Sequence, residues 1–325
     1  MQTQRILIAE REGFPPQALA RLERVATVEL EDLDRPALEE AVGEADVLWV
    51  RLRHRIDRAL LERAPRLKVL VTPTTGLNHV DTEELATRGI TLLSLRGEAE
   101  FLRDVRATAE HTVGLLLALL RQTAPAAADA QAGGWRRDRF QGTEIYGKTV
   151  GIVGYGRLGR IVSRYLKAFD ARVIATDPKL PAGFGDGTVE GVTLTRLVAE
   201  ADIVSLHADL RPDTRGFFTA ALFRQMKWAS YFVNTARGEL IDEAGLLASL
   251  REGRLAGAAL DVVANETSAG MGGHPLIEYA RRHAHLLITP HVGGCTHESK
   301  TKTELYLAGK LADLLEAGAP TAKAS

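Results

Sequence analysis

The sequence predicts an α/β protein of two doubly wound parallel-sheet domains, and three observations carry that reading. Short apolar runs alternate with amphipathic helical patterns along most of the chain, as parallel sheets with crossover helices require. The alternation begins twice, near Arg5 and again near Lys148, with an apolar helical stretch from about Thr108 to Gln122 between the two arrays. The second array opens on a knot of glycines between a strand-like run and a helical one, which is where such sheets bind phosphates. A chain of 325 residues is long enough to bury two cores.

The first array reads as "RILIAE" (Arg5–Glu10), "ADVLWV" (Ala45–Val50), "LKVLVT" (Leu67–Thr72) and "ITLLSL" (Ile90–Leu95), with helical patterns such as "DRALLERA" and "DTEELATRG" between strands. The second begins at "KTVGIVG". It continues through "RVIATD" (Arg172–Asp177), "ADIVSLH" (Ala201–His207), "YFVNTA" (Tyr231–Ala236), "LAGAALDV" (Leu255–Val262) and "HLLITP" (His285–Pro290). The final stretch, "HESKTKTELYLAGKLADLLEAG", reads as one amphipathic helix without an array of its own, so it is expected to return to the first domain. The Ala/Gly-rich "TAPAAADAQAGG" lies between patterned segments and need not be a disordered linker.

Composition narrows the function classes. Hydrophobic residues make up 45% and charged residues 26%, as in ordinary globular proteins. A net charge of −1 gives no reason to expect a nucleic-acid or membrane partner. The N-terminus enters a strand directly, without a signal-peptide pattern, and Val113–Leu120 is too short to span a bilayer. One cysteine, Cys295, precludes an internal disulfide and suits a reducing cytoplasm. No His/Cys group has zinc-ligand spacing, so no metal is expected.

In "TVGIVGYGRLGRIVSRYL" the glycines are Gly154, Gly156 and Gly159. After a strand, the first makes the tight turn, the second lets a pyrophosphate approach the backbone, and the third lets helix pack on strand. The helix N-terminus offers free N–H groups and positive dipole to the phosphates. A bare GxGxxG is weak evidence. Here the next strand also ends in Asp177, 18 residues beyond Gly159, where a carboxylate holds the ribose hydroxyls of NAD and repels a 2′-phosphate. The context therefore predicts a Rossmann domain that prefers NAD to NADP.

Hydride transfer to a 2-keto acid needs a cation for the carboxylate and carbonyl, a proton donor, and a partner that keeps the donor protonated. Three strand ends supply such groups. Arg237 follows "VNTA", Asp261 and Glu266 follow "AGAAL", and His291 follows "LLITP". The carboxyl ends of parallel strands face the ligand crevice, so one fold gathers these residues beside the cofactor.

The stretches "GIVGYGRLGR", "VNTARGELIDEAGLLASLREGRLAGAALDV" and "TPHVGG" resemble the D-isomer-specific 2-hydroxyacid dehydrogenase family, most strongly from Gly142 to Thr296. The resemblance implies that Arg237 clamps carboxylate and carbonyl, that His291 is the general acid/base, and that Glu266 hydrogen-bonds it. It implies that Asp261 holds the nicotinamide carboxamide. It assigns further cofactor contacts to Tyr155, Arg157, Leu158, His207, Thr214, Thr235, Ala236, His291 and Gly293. "TTGLNHVD" would offer backbone N–H groups around Thr75, Gly76 and Leu77 to the substrate carboxylate. The family also implies a flavodoxin-like substrate domain from both chain ends (1–104 with 294–325), an NAD-binding domain at 105–293, and a homodimer formed through the latter.

Some features depart from the family or stand apart from it. Thr267 follows Glu266 where relatives usually have proline. The segment "SLRGEAEFLRDVRATAEHT", with Arg96, Arg103 and Arg106, is longer than the turn of many relatives and looks helical, reading as a solvated charged face or as a border of the substrate pocket. His111 suits a structural role better than a substrate contact, and His283, His285, His297 and Cys295 suit packing or surface roles. Arg51 and Arg53 leave the strand ending at Val50 on alternate positions. They are either surface charges or a site for a second anionic group on the substrate, as in phosphoglycerate dehydrogenases. The function expected is NAD-dependent interconversion of a 2-keto acid and a D-2-hydroxy acid. The alternatives are an NAD-sensing corepressor-type protein, or a formate- or phosphite-type dehydrogenase on the same scaffold.

Overall fold

The computed structural model describes residues 4–181, 183–185, 187, 189–266 and 270–318. Thr267, the departure beside Glu266, lies outside them. In chain order the first elements are β1 (Arg5–Ile8), α1 (Pro16–Leu22), β2 (Thr27–Leu30), α2 (Arg35–Ala41), β3 (Val47–Trp49), α3 (Arg58–Glu62), β4 (Val69–Thr72), α4 (Thr82–Thr87) and β5 (Thr91–Ser94). There follow α5 (Ala107–Leu120), α6 (Thr123–Gln131), β6 (Thr149–Val153), α7 (Arg157–Lys167), β7 (Arg172–Thr176), β8 (Glu190–Gly191), α8 (Leu194–Glu200) and β9 (Ile203–Leu206). The last are α9 (Ala220–Gln225), β10 (Ser230–Asn234), α10 (Glu243–Arg251), β11 (Leu255–Leu260), α11 (Pro275–Ala280), β12 (Leu286–Ile288) and α12 (His297–Glu316). They form two compact units, Met1–Val105 with Cys295–Ser325, and Arg106–Gly294.

The first unit holds a five-stranded parallel sheet in the order β2-β1-β3-β4-β5, the flavodoxin-like order. Every residue of β3 and β4 is buried, because helices cover both faces of a parallel sheet. That double burial is why these strands read as unbroken apolar runs. The edge strand β2 escaped the sequence reading: its residues are half-buried or exposed and lack such a run. Helix α12 lies against α1, and its Leu307, Ala308 and Leu311 join Ile6, Ile8, Trp49 and Val69 in one core.

The segment "SLRGEAEFLRDVRATAEHT" is helical only in part: residues 107–112 open α5, and Phe101–Asp104 forms a single 3-10 helix. The rest is fixed by docking on α12. Phe101 stacks on Tyr306 with ring centroids 3.9 Å apart, Leu102 is buried, and Glu98 accepts from Tyr306 Oη and Lys310 Nζ.

The second unit holds seven parallel strands in the order β12-β11-β10-β9-β6-β7-β8. Counted from β6, this is the doubly wound Rossmann order with a seventh strand added at one edge. The chain reverses direction across the sheet between β6 and β9, the switch point at which such sheets bind ligands. The two-residue β8 was too short to be read from sequence. Helix α5 packs on α7 and β11 along an apolar face that includes Leu115, Leu116 and Leu119.

Candidate active site

The glycine turn lies at the switch point. Gly154 has φ +95°, a conformation that side chains disfavour, and a Cβ there would lie 2.7 Å from the His207 carbonyl at the end of β9. At Gly159 a Cβ would lie 2.1 Å from the Gly154 carbonyl oxygen. Gly156 differs, since a Cβ there would meet no protein atom within 4 Å. Its missing side chain therefore leaves open space at the N-terminus of α7, which fits a pyrophosphate. The N–H groups of Gly156 and Leu158 donate to no described group, so they remain available to an anion.

Asp177, just beyond β7, is oriented by its neighbours. Its Oδ2 accepts from Tyr155 N at 3.0 Å and its Oδ1 from Lys179 N at 2.9 Å, leaving lone pairs for hydroxyl donors. Tyr155 meets Asp177 through its backbone N–H. Its side chain is buried, stacks on Phe184, and lies beneath the Arg160 guanidinium. Leu158 is partly buried against the core. Burial lowers the Arg157 guanidinium from its usual value. His207 Nε2 lies 2.9 Å from Ser205 Oγ, and burial pulls its imidazole down to about 4, so the ring is neutral at physiological pH. The Thr214 hydroxyl closes the 209–214 loop: it accepts from Arg211 N and donates to Asp209 O, both at 2.7 Å. Thr235 is buried, with its hydroxyl 2.7 Å from that of Thr112 on α5.

Past β10, Asn234 shapes the turn. Its Oδ1 accepts from Ala236 N and its Nδ2 donates to Arg237 O, both at 2.9 Å. Gly238 is needed because a Cβ would meet the Val263 carbonyl carbon at 2.0 Å. Burial lowers the Arg237 guanidinium, opposed by the nearby carboxylates of Glu266, Glu239, Asp209 and Asp261. Past β12, His291 Nδ1 lies 2.5 Å from Glu266 Oε1. Both members of this pair rest on strained backbone: His291 has φ +53° and Asn265, just before Glu266, has φ +55°. Such conformations cost roughly 1–2 kcal/mol at a non-glycine residue and persist only where surrounding contacts hold them.

Asp261 supplies those contacts for His291. It is 1% exposed. Its Oδ1 accepts from Val292 N at 2.9 Å and from Thr289 Oγ1 at 2.6 Å, and its Oδ2 accepts from Gly293 N at 2.8 Å. His111 Nε2 on α5 lies 3.1 Å from both Asp261 Oδ1 and Thr289 Oγ1. Asp261 thus builds the His291 turn, with His111 in its network.

In the first unit, the N–H groups of Thr75, Gly76 and Leu77 donate to no described group, while Thr74 Oγ1 donates to Gly76 O at 2.8 Å. Arg51 is engaged within the first unit. Its Nε donates to Glu304 Oε1 at 2.6 Å and its Nη1 to the carbonyls of Glu10 and Glu12 at 2.9 Å each. Arg53 Nη1 pairs with Asp32 at 2.5 Å. Arg51 follows β3 and Glu10 follows β1, so this pairing fills the switch point of the first sheet with the protein's own charges. Among the described residues, no group of three or more His, Cys, Asp or Glu is placed to hold a metal, and no helix is long and apolar enough to cross a membrane.

Residues 113–293 match the model of the D-isomer-specific 2-hydroxyacid dehydrogenase NAD-binding domain. D-3-phosphoglycerate dehydrogenase of Mycobacterium leprae is 37% identical over 270 residues, covering 83% of this chain and 49% of that protein. The chain thus spans about half the length of the curated relatives it matches. The solved structure of the TT0316 protein of Thermus thermophilus superposes with a TM-score of 0.83 at 33% identity, covering 97% of each chain. D-lactate dehydrogenase of Aquifex aeolicus, solved with NAD and lactic acid, superposes with a TM-score of 0.83 over 97% of this chain and 96% of that one. At 22% identity it bears on the fold alone.

Proposed function

We propose that this chain, which belongs to the D-isomer-specific 2-hydroxyacid dehydrogenase family, is an NAD-dependent oxidoreductase that interconverts a 2-keto acid and a D-2-hydroxy acid. The observation that carries the reading is the Glu266–His291 contact at 2.5 Å, in the same unit as the Arg237 guanidinium and the glycine turn. When bound, NADH supplies the hydride. The chain's own residues do the rest. Arg237 binds the substrate carboxylate and polarises the carbonyl. Glu266 engages Nδ1 of His291, so Nε2 is the nitrogen that hands a proton to the carbonyl oxygen during reduction and takes one back during oxidation. Asp177 meets the ribose hydroxyls, and Gly156 with the α7 N-terminus meets the pyrophosphate.

The same proposal includes a homodimer through the second unit, supported by Trp135 standing 90% exposed on it, and a cytoplasmic location. Light scattering of the purified protein tests the dimer. The deciding experiment is an NADH-oxidation screen across glyoxylate, pyruvate, hydroxypyruvate, phosphohydroxypyruvate and bulkier 2-keto acids. Turnover with at least one is expected. Tight NADH binding without turnover on any of them would favour the corepressor-type reading. Because Arg51 is engaged by Glu304, a preference for phosphohydroxypyruvate would need another cation to explain it.

A further inference from the structure

We propose that Glu243 and His274 form a clasp that positions Glu266 against His291, a role that rests on the acid/base reading above. Glu243 opens α10, directly after the N-cap Asp242, whose side chain accepts from Gly245 N at 2.9 Å. A glutamate there reads from sequence as a helix-end charge and nothing more. In the fold its two oxygens divide between the two ends of one loop. Oε1 accepts from Ala264 N at 2.7 Å, two residues before Glu266. Oε2 lies 3.1 Å from His274 Nε2, immediately before α11. Both side chains are largely buried, 18% and 14% exposed. The other His274 ring nitrogen, Nδ1, is buried without a partner, so among the described residues Glu243 alone fixes the ring.

The need for the clasp follows from the backbone. Asn265 sits between Ala264 and Glu266 at φ +55°, and this left-handed step aims the Glu266 side chain. Left-handed backbone relaxes unless neighbours hold it. Gly238, pressed against Val263 and Ala264, holds one side of this chain crossing, and the Glu243 carboxylate holds the other. Asp261 does the corresponding work for the His291 turn. Each half of the pair is thus braced by its own carboxylate, and Glu243 is a positioning residue that acts through Glu266.

The test combines NMR with kinetics. In cofactor-free protein labelled at histidine, the His291 imidazole is assigned with His291→Ala and titrated in wild type, Glu266→Gln, Glu243→Ala and Glu243→Gln. Glu243→Ala is expected to move the His291 midpoint in the same direction as Glu266→Gln. Glu243→Gln keeps an acceptor for Ala264 N and should stay near wild type. With a turned-over keto acid, Glu243→Ala should lower kcat about 10- to 100-fold, the scale of a roughly 1 Å misplacement. NADH affinity should hold, and the same change should cost little in a Glu266→Gln background, because the two act as one unit. A His291 midpoint unmoved by Glu243→Ala, or an equal cost with and without Glu266, overturns the clasp. If Glu243→Ala does not fold, His274→Ala takes its place under the same criteria. A wild type that turns over no keto acid would defeat the acid/base reading, while the cofactor-free titration still decides the clasp.

Discussion

Replacing Arg51 with alanine removes one half of an ion pair whose other half, Glu304, has a side chain only 1% exposed. Arg51 itself is 16% exposed, and its Nη1 also satisfies two backbone carbonyls. Breaking a buried pair by removing one partner costs about 3–5 kcal/mol, because the remaining charge is left desolvated. At about 3 °C per kcal/mol for a domain of this size, the transition of the first unit should fall by about 10 °C. The loss should depend on pH. Burial raises the Glu304 carboxyl, with Arg51 opposing it, and burial likewise raises Glu10, whose Oε1 accepts from Arg51 N. A carboxyl raised in the folded state contributes stability that is complete at low pH and is lost as pH rises through its folded value. Without Arg51 to oppose that rise, the deficit should therefore be larger near about pH 8 than near about pH 5. Arg51→Met combined with Glu304→Leu should recover much of it, since an apolar pair can replace a buried ion pair. Calorimetry across pH is the assay. If Arg51→Ala melted with the wild type and lost turnover only on keto acids bearing a second anionic group, the structural role would be wrong and Arg51 would return to the substrate site.

Four further outcomes are expected. Gly156→Ala should fold with an unchanged melting temperature and bind NADH weakly, whereas Gly159→Ala, whose Cβ would lie 2.1 Å from the Gly154 carbonyl oxygen, should lose both stability and binding; NADH titration beside thermal melts tells them apart, and unaltered affinity in Gly156→Ala would remove the pyrophosphate from this turn. Wild type should strongly prefer NADH to NADPH, and Asp177→Ala should narrow that preference by relieving repulsion of the 2′-phosphate; equal kcat/KM for the two cofactors in wild type would contradict the role of Asp177. His291→Ala should depress kcat far more than NADH affinity, while Glu266→Gln should move the pH–rate profile of keto-acid reduction toward acid; an unmoved profile would mean that another group partners His291. Arg237→Lys should lose most of kcat/KM, because an ammonium does not reproduce the planar fork, and near-normal turnover would argue against a bidentate clamp.

Periodicity and punctuation in the sequence carried the fold class. Buried parallel strands announce themselves as apolar runs, and a strand–glycine–helix junction constrains its own backbone whatever lies elsewhere. The same locality made Arg237, Glu266 and His291 visible, since each follows a strand end in a short recognisable setting. The strands that escaped, β2 and β8, lie toward sheet edges or are too short to form such a run. Tertiary structure decided what each charged side chain touches. Arg51 looked like a residue reaching for an anion, and its partner is 253 positions away on a helix that returns to the first unit. The segment around Arg96–Arg106 looked helical, yet most of its conformation comes from docking Glu98, Phe101 and Leu102. Asp261 read as a cofactor contact and Glu243 as a helix-end charge, and only the folded chain brings their carboxylates to the backbone beside His291 and Glu266. The physical reason is one of range. Secondary structure and glycine turns are set by interactions within a few residues, whereas the fate of a buried charge is set by whichever opposite charge the topology delivers to it.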